Sequence, residues 1–400
     1  MTREHDIPFH RPFMGKEEED AVLRVLRSRW LTTGAEAAAF ETEFADFVKG
    51  SCPARLYALA VNSATSGLHL ALEALGVGPG DLVFLPSLTF TSTAEVIRHV
   101  GADPVFVDIG AETFTIDPEL LEDAIRAALR RGNAVPRAVI AVHYGGEFCD
   151  MPAISAVARR YGLSVVEDAA HLFPYTLGAE LQSDALVFSF YATKTITSGE
   201  GGMLLSARED LARRVSLMRN HGIDRSVWNR YTDTGASWYY QVAAPGFKYN
   251  LPDLLAAVGR VQLKRAGEFL RMRRAIAASY TSALAVDTLV PPPASYLKGA
   301  LHLYPLSLRD SGAAGPRGGS RRNELIEKLK KSGIGTSVHF IPLHIMPYYR
   351  DSYDLEAGSL PRTMARFNAL VSLPLWPGMS DAQIARVIEA VSSAAAELTG

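Results

Sequence analysis

Leu186-Val187-Phe188-Ser189-Phe190-Tyr191-Ala192-Thr193-Lys194-Thr195-Ile196-Thr197-Ser198-Gly199-Glu200-Gly201-Gly202-Met203 is the stretch on which the reading of this chain turns. The run from Ala185 to Phe190, apolar but for Ser189, predicts a strand buried on both faces, the pattern of a sheet covered by helices. It runs into small hydroxyl residues and glycines, with Lys194 just past the strand's end. A lysine emerging from a core is easily desolvated, which lowers its pKa and makes its amine nucleophilic. A solvated surface lysine is the other reading, and the one that fits most lysines in any protein.

The same layout recurs upstream. Val165-Val166-Glu167-Asp168-Ala169-Ala170-His171 puts an acid directly after an apolar strand, and strand ends are where ligands collect in α/β sheets. Asp168 there either caps the next helix or holds a protonated ring nitrogen. His171, one turn further on, is either a satisfied core histidine or a contact to a ring substituent. Val61-Asn62-Ser63-Ala64-Thr65-Ser66-Gly67 takes a strand through small residues into a helix start. Ser63, Thr65 and Ser66 either cap that helix or help its free amides bind a phosphate. Neither G-K-[ST] nor G-x-G-x-x-G occurs there, so nucleotide-hydrolysis and dinucleotide readings lose support. Phe90, in Leu88-Thr89-Phe90-Thr91-Ser92 after another strand end, is either core or a stacking face.

Around these motifs strands and helices alternate. Strands are expected at 56–61, 82–86, 104–107, 138–142, 164–167 and 185–190. Helices are expected at 15–29, 35–48, 66–75, 93–100, 118–130 and 154–161. Short connections between them predict an α/β fold with a mostly parallel sheet between helices. A long helix over 254–272 leads to a smaller α+β unit with strands at 301–308 and 336–340 and helices at 323–332 and 381–398. The expected division is a large unit over 15–265 and a small C-terminal unit over 266–400, with residues 1–14 packing on the latter.

Composition narrows the partners. Lys+Arg total 41 against Asp+Glu 43, a formal net charge of −2, which argues against a dedicated nucleic-acid binder and a polybasic membrane-surface protein. Cys52 and Cys149 are the only cysteines, so a disulfide scaffold and a four-cysteine zinc site are excluded, and no metal site is expected. The polar start Met1–Asp6 carries no apolar signal segment, and no apolar run is long enough to span a membrane. A cytoplasmic location is the expectation.

Taken together and in this order, Asn62–Gly67, Glu167–His171 and Ser189–Lys194 with Gly199–Gly202 resemble the DegT-type nucleotide-sugar aminotransferases. These are pyridoxal phosphate (PLP) enzymes of the aspartate-aminotransferase fold. The likeness extends from Pro8-Phe9-His10-Arg11-Pro12 and Trp30-Leu31-Thr32-Thr33-Gly34 to Ser372-Leu373-Pro374-Leu375. It implies that Lys194 forms the Schiff base with PLP and moves the proton, and that Asp168 pairs with the pyridine nitrogen. It implies His171 beside the ring hydroxyl and Phe90 on the ring face. The phosphate would rest on the Ala64 and Thr65 amides and the Ser189 hydroxyl. A second subunit would complete each site through Gly246–Asp253, with Lys248 and Asn250, so a homodimer is implied. Two departures stand out: Tyr191 where many members have His, and Lys248 where many have Asn. Related dehydratases replace the lysine with His, so retention of Lys194 favours transamination.

The segments around His221–Tyr231 and Phe247–Pro252 look like the branch acting on UDP-4-keto sugars, as in 4-amino-arabinose synthesis. Thr33, Tyr191, Arg230, His339, His344 and Tyr348 are the implied substrate contacts, with L-glutamate as amino donor and a nucleotide-linked ketosugar as acceptor. Amination at C3, a PLP-dependent dehydratase and a non-catalytic PLP-binding regulator are the alternatives.

Overall fold

The computed structural model describes residues 6–224, 239–315 and 317–398. Two helices lead: α1 (Lys16–Ser28) and α2 (Ala35–Lys49). Helix α1 has Glu17, Glu18 and Glu19 in its first turn and Arg27 in its last, the charge order that complements a helix dipole. Alternation then follows: β1 (Tyr57–Val61), α3 (Ala64–Ala74), β2 (Asp81–Pro86), α4 (Ser92–His99), β3 (Asp103–Val107), α5 (Pro118–Arg131), β4 (Val135–Val142), α6 (Met151–Tyr161) and β5 (Ser164–Asp168). Next come β6 (Ala185–Ser189), β7 (Gly202–Ser206) and α7 (Glu209–Met218).

The seven strands form one sheet in the order β1-β7-β6-β5-β4-β2-β3. The pairs β2–β3, β2–β4, β4–β5 and β5–β6 are parallel, while β7 runs antiparallel to both its neighbours. Sequence patterning did not anticipate β7, because Gly199–Gly202 reads as loop. Met203, Leu204 and Leu205 are nonetheless wholly buried, and every residue of β6 and β7 lies inside, as a sheet covered on both faces requires.

Helices α8 (Asp253–Lys264) and α9 (Ala266–Leu284) replace the single helix expected over 254–272. The break falls at Arg265, whose guanidinium lies 4.6 Å from the Phe13 ring centre and 5.0 Å from that of Phe269. Arg265 also pairs with Glu268 at 3.1 Å. Every residue in the Lys264-Arg265-Ala266 run favours helix except in this packing, so tertiary contacts override propensity. Helix α9 begins in one core with Ala266 and Phe269 and ends in another with Ile276, Ala277, Tyr280 and Leu284.

That second core is built by β8 (Leu289–Val290), α10 (Ala294–Leu297), β9 (Pro305–Leu308), α11 (Ser320–Lys331), β10 (Leu370–Ser372) and α14 (Asp381–Glu397), whereas α12 (Pro347–Tyr353) puts Tyr349 into the core of the large sheet and α13 (Pro361–Ala369) lies against β9. Its three strands are antiparallel in the order β10-β9-β8. The strand expected at 336–340 reduces to one bridge, Ser337 with Ser372. Strand β9 starts at Pro305, not at Leu301, because the backbone of 300–303 is bonded to Gly145 and Gly146. The N-terminal segment touches both cores: Ile7 N donates to Gly333 O and Gly335 N to Ile7 O, each at 2.8 Å, while Phe13 packs against the core that holds Phe269. Among the described residues no helix is long and apolar enough to cross a membrane.

Candidate active site

The carboxyl ends of β4, β5 and β6, the N-terminus of α3 and the segments 337–340 and 302 enclose a cavity of about 600 Å³. Ligands of open α/β sheets settle at that edge. Ala64, Thr65, Phe90, Asp168, His171, Ser189, Tyr191, Lys194 and His339 all line it, so nine sequence-derived candidates converge.

Lys194 is placed by a stapled loop. Phe190 N donates to Gly201 O at 2.9 Å, Ser198 N to Phe190 O at 3.0 Å, and Thr197 Oγ1 to the same carbonyl at 2.9 Å. Lys194 N closes a turn on Tyr191 O at 2.9 Å. The side chain is half-buried at the cavity wall. Loss of water pushes its amine down to about 8, with the Asp168 charge opposing.

Asp168 ends β5 and is buried. Thr93 Oγ1 donates to its Oδ2 at 2.9 Å and Ala170 N to its Oδ1 at 3.1 Å. Burial raises its pKa, and those two donors work the other way. A cation placed against it from the cavity would remove that penalty.

The phosphate end is made by α3. Ser63 caps the helix by accepting from Ser66 N at 3.1 Å, which leaves the Ala64 and Thr65 amides in the first turn, where no helical carbonyl reaches them. A Cβ on Gly202 would sit 2.7 Å from Ala64 N, so only glycine lets β7 approach this turn. The Ser189 hydroxyl closes that end and accepts from Tyr191 N at 3.3 Å. Phe90 is 56% exposed with one face to the cavity, its centroid 5.9 Å from Phe340. His171 Nδ1 accepts from Gly145 N at 3.0 Å, so its proton sits on Nε2.

Five candidates lie elsewhere. Thr33 Oγ1 donates to Leu251 O at 2.6 Å and accepts from Asn250 Nδ2 at 2.6 Å. Asn250 Oδ1 in turn accepts from Lys248 Nζ, so these three form one cluster away from the cavity lining. His344 is a correction: it is wholly buried, accepting from Ser87 Oγ at 2.7 Å and donating to Ala357 O at 3.3 Å. Both its nitrogens are used in holding the 343–345 turn, so it presents nothing to a substrate. Tyr348 is 56% exposed, packed on Tyr349 and bonded to Arg98, outside the lining. Arg230 lies outside the described residues.

Residues not singled out from sequence complete the wall. His143 Nε2 meets Glu167 Oε2 at 2.8 Å, directly behind Asp168. Glu167, preceding Asp168 on a strand otherwise apolar, was the available signal. Phe9 packs on His339 with centroids 5.3 Å apart. His339 is bonded to Ser372 Oγ at 2.9 Å, and burial followed by the Lys194 charge takes its pKa down to about 3. Glu200 and His302 also face the cavity. No group of residues able to hold a metal ion occurs among those described.

The residues present fit PLP. A desolvated lysine, a buried carboxylate lacking a cation, a helix N-terminus and an exposed aromatic face occupy four sides of one cavity. Comparison with known proteins gives the same answer. Spore coat polysaccharide biosynthesis protein SpsC of Bacillus subtilis is 44% identical over 397 residues, covering 98% of this chain and 97% of that protein. Spr1654 of Streptococcus pneumoniae, described as a sugar aminotransferase and solved in its PMP form, superposes with a TM-score of 0.86 at 29% identity, covering 98% of this chain and 100% of that one. PseC of Helicobacter pylori, an aminotransferase involved in the biosynthesis of pseudoaminic acid, superposes with a TM-score of 0.83 at 25% identity over 98% of this chain and 100% of that one. The profile of the DegT/DnrJ/EryC1/StrS aminotransferase family matches residues 12–392, and the chain belongs to that family of PLP-dependent sugar aminotransferases.

Proposed function

We propose that this enzyme moves an amino group from L-glutamate to the keto carbon of a nucleotide-linked sugar, a UDP-4-keto sugar. The observation that carries this reading is the convergence of Lys194, Asp168 and the α3 N-terminus on one cavity. When bound, PLP supplies an aldehyde that takes up the amino group and a ring that draws electrons from the adjacent carbon.

The chain's own residues do the rest. Lys194 Nζ would hold the cofactor covalently and, as a free amine, would be the base that carries a proton to and from the donor's α-carbon. Asp168 keeps a proton on the ring nitrogen. Thr93 fixes the orientation of that carboxylate. The Ala64 and Thr65 amides and the Ser189 hydroxyl receive the phosphate at the positive end of α3. Phe90 covers one ring face and keeps water from it. Tyr191 and His339 face the cavity where the sugar is bound, and Arg230 is assigned to the diphosphate, which guanidinium pairs in a bidentate way.

We assign Thr33, Lys248 and Asn250 to the neighbouring site of a homodimer, because their cluster lies outside the cavity of its own chain. The two units divide at 265/266, where the helix breaks. The relatives' roles in polysaccharide and pseudoaminic acid biosynthesis support a sugar destined for cell-surface polysaccharide. Two buried free thiols, Cys52 and Cys149, are compatible with a reducing cytoplasm.

The test uses purified protein loaded with PLP. Glutamate alone should bleach the visible band and yield 2-oxoglutarate, and adding the UDP-4-keto sugar should restore the band and give a 4-amino sugar. Lys194→Ala should lose band and turnover together, by at least about 10²–10⁴-fold in rate. A 3-amino product or a deoxygenated sugar would replace this reading with C3 amination or dehydration. Binding of PLP without bleaching would indicate a regulator.

A further inference from the structure

His302 belongs to none of the sequence motifs, yet it lines the cavity beside His171. The two ring centroids are 4.4 Å apart, their planes at 41°. One turn fixes the His171 ring and the backbone that carries His302. Gly145 N donates to His171 Nδ1 at 3.0 Å, and the Gly145 carbonyl accepts from His302 N at 2.9 Å and Leu303 N at 3.2 Å. From the other side the wholly buried Arg273 donates from Nη1 to the carbonyls of Leu301, His302 and Leu375 at 3.3, 3.1 and 2.8 Å. Leu301, between these supports, is held at φ +51°, a left-handed conformation that persists only where the surroundings over-determine it.

Proton placement follows from the partners. His171 Nδ1 accepts a hydrogen bond, so its N–H is at Nε2. His302 Nδ1 is buried with no partner, which leaves Nε2 as the nitrogen that can meet a ligand. A proton on Nδ1 would strand a buried donor, so it too sits on Nε2. Lys194, Arg273 and His339 are the other titratable groups acting on the pair. Burial first, then for His171 the Lys194 charge and for His302 its neighbour His171 followed by Lys194 and Arg273, keep both imidazoles neutral.

We propose that His302 is a second cofactor-holding residue. Its Nε2–H and that of His171 converge as paired donors on one anionic oxygen, the deprotonated ring hydroxyl of PLP. Two neutral donors near two cations suit an anion, whereas a protonated hydroxyl would need an acceptor there. This rests on the assignment of the cavity to PLP.

The test follows the visible band of the lysine-bound cofactor against pH, with no donor or sugar present. His302→Phe keeps the bulk and removes the donor, while His302→Gln keeps an N–H. Removing a donor makes the oxygen more basic, so His302→Phe should move the band's midpoint up by about one pH unit and weaken PLP binding about tenfold. His302→Gln should return most of both. A fully loaded His302→Phe protein with an unchanged midpoint overturns the proposal. So does a rise in KM for glutamate with no spectral shift, which would place the oxygen on the amino donor. If His302→Phe does not fold, His302→Gln decides: a midpoint near that of the wild type supports the proposal, and a full-unit shift overturns it. A wild-type protein that gives no visible band with PLP removes the cofactor assignment itself, a result distinct from the others.

Discussion

Lys194 is reactive before any ligand arrives, because burial takes its amine down to about 8. Below that pH the amine is mostly protonated and cannot attack an aldehyde. The rate at which cofactor-free protein captures PLP should therefore rise about tenfold per pH unit up to pH 8 and level off above it. A flat stopped-flow profile between pH 6 and 8 would contradict the assignment. The lowered pKa also has a stability sign. The native state binds fewer protons than the unfolded one between about 8 and the usual lysine range, so stability rises with pH through that window. Below it the penalty for a buried cation is fully present. Lys194→Met should raise the Tm of the cofactor-free protein at pH 7 and lose that advantage above pH 10. Asp168→Asn should weaken PLP binding by about 2–5 kcal/mol, since it removes one partner of a desolvated pair, and equilibrium dialysis measures it. Lys194 and Asp168 were legible in the sequence because each sits where an apolar strand stops. His302 was not, since Leu301-His302-Leu303-Tyr304 reads as strand and its place depends on Gly145 and Arg273. His344 was misjudged for the converse reason: it shares a segment with His339, but its ring turns inward onto Ser87.

At the level of elements, distant carboxylates start helices. Asp253, at the first position of α8, accepts from Gly34 N at 2.7 Å, Ala37 N at 3.0 Å and Glu36 N at 3.3 Å, so it caps α2 across the chain. Asp108 does the same for α13, accepting from Arg362 N at 2.9 Å and Thr363 N at 2.8 Å. Neither helix has a capping side chain of its own, since Gly34 and Leu360 occupy those places. Asp253→Ala or Asp108→Ala should each lower unfolding free energy by about 1–3 kcal/mol, read from denaturant midpoints at constant m. Gly145→Ala should do more harm. A Cβ there would stand 2.0 Å from the Tyr296 hydroxyl at φ +60°, and the turn that orients His171 and His302 could not close. Helix and strand positions in the first two hundred residues followed from apolar spacing. The split at Arg265 and the loss of a strand near 338 did not, because rings and backbone contributed by remote segments decide them.

Across the whole molecule the near-zero net charge means that the phosphate of the cofactor, and that of the proposed sugar nucleotide, are met by local groups, with no attracting field. The proposed sharing of sites between two subunits makes a sharp prediction. Lys194→Ala and Asn250→Ala chains, each inactive alone, should regain activity when mixed and allowed to exchange subunits, because one kind of site in the mixed dimer is intact. Absence of any recovery in chains shown to exchange would place Asn250 outside the site. The sheet order adds a constraint on how the enzyme is made. Within the sheet β1 is an edge strand whose neighbour is β7, which leaves the ribosome about 140 residues later, and its last residue Val61 bridges the still later Asn250. Helix α3, hanging from β1, has its first turn packed against Gly202 of that late strand. The interior strands can zip up earlier, through their parallel neighbours. A nascent chain released before β7 emerges would thus hold much of the large sheet's hydrophobic centre but no finished phosphate cradle, so the cofactor's phosphate cannot be seated until about half of the chain has been made.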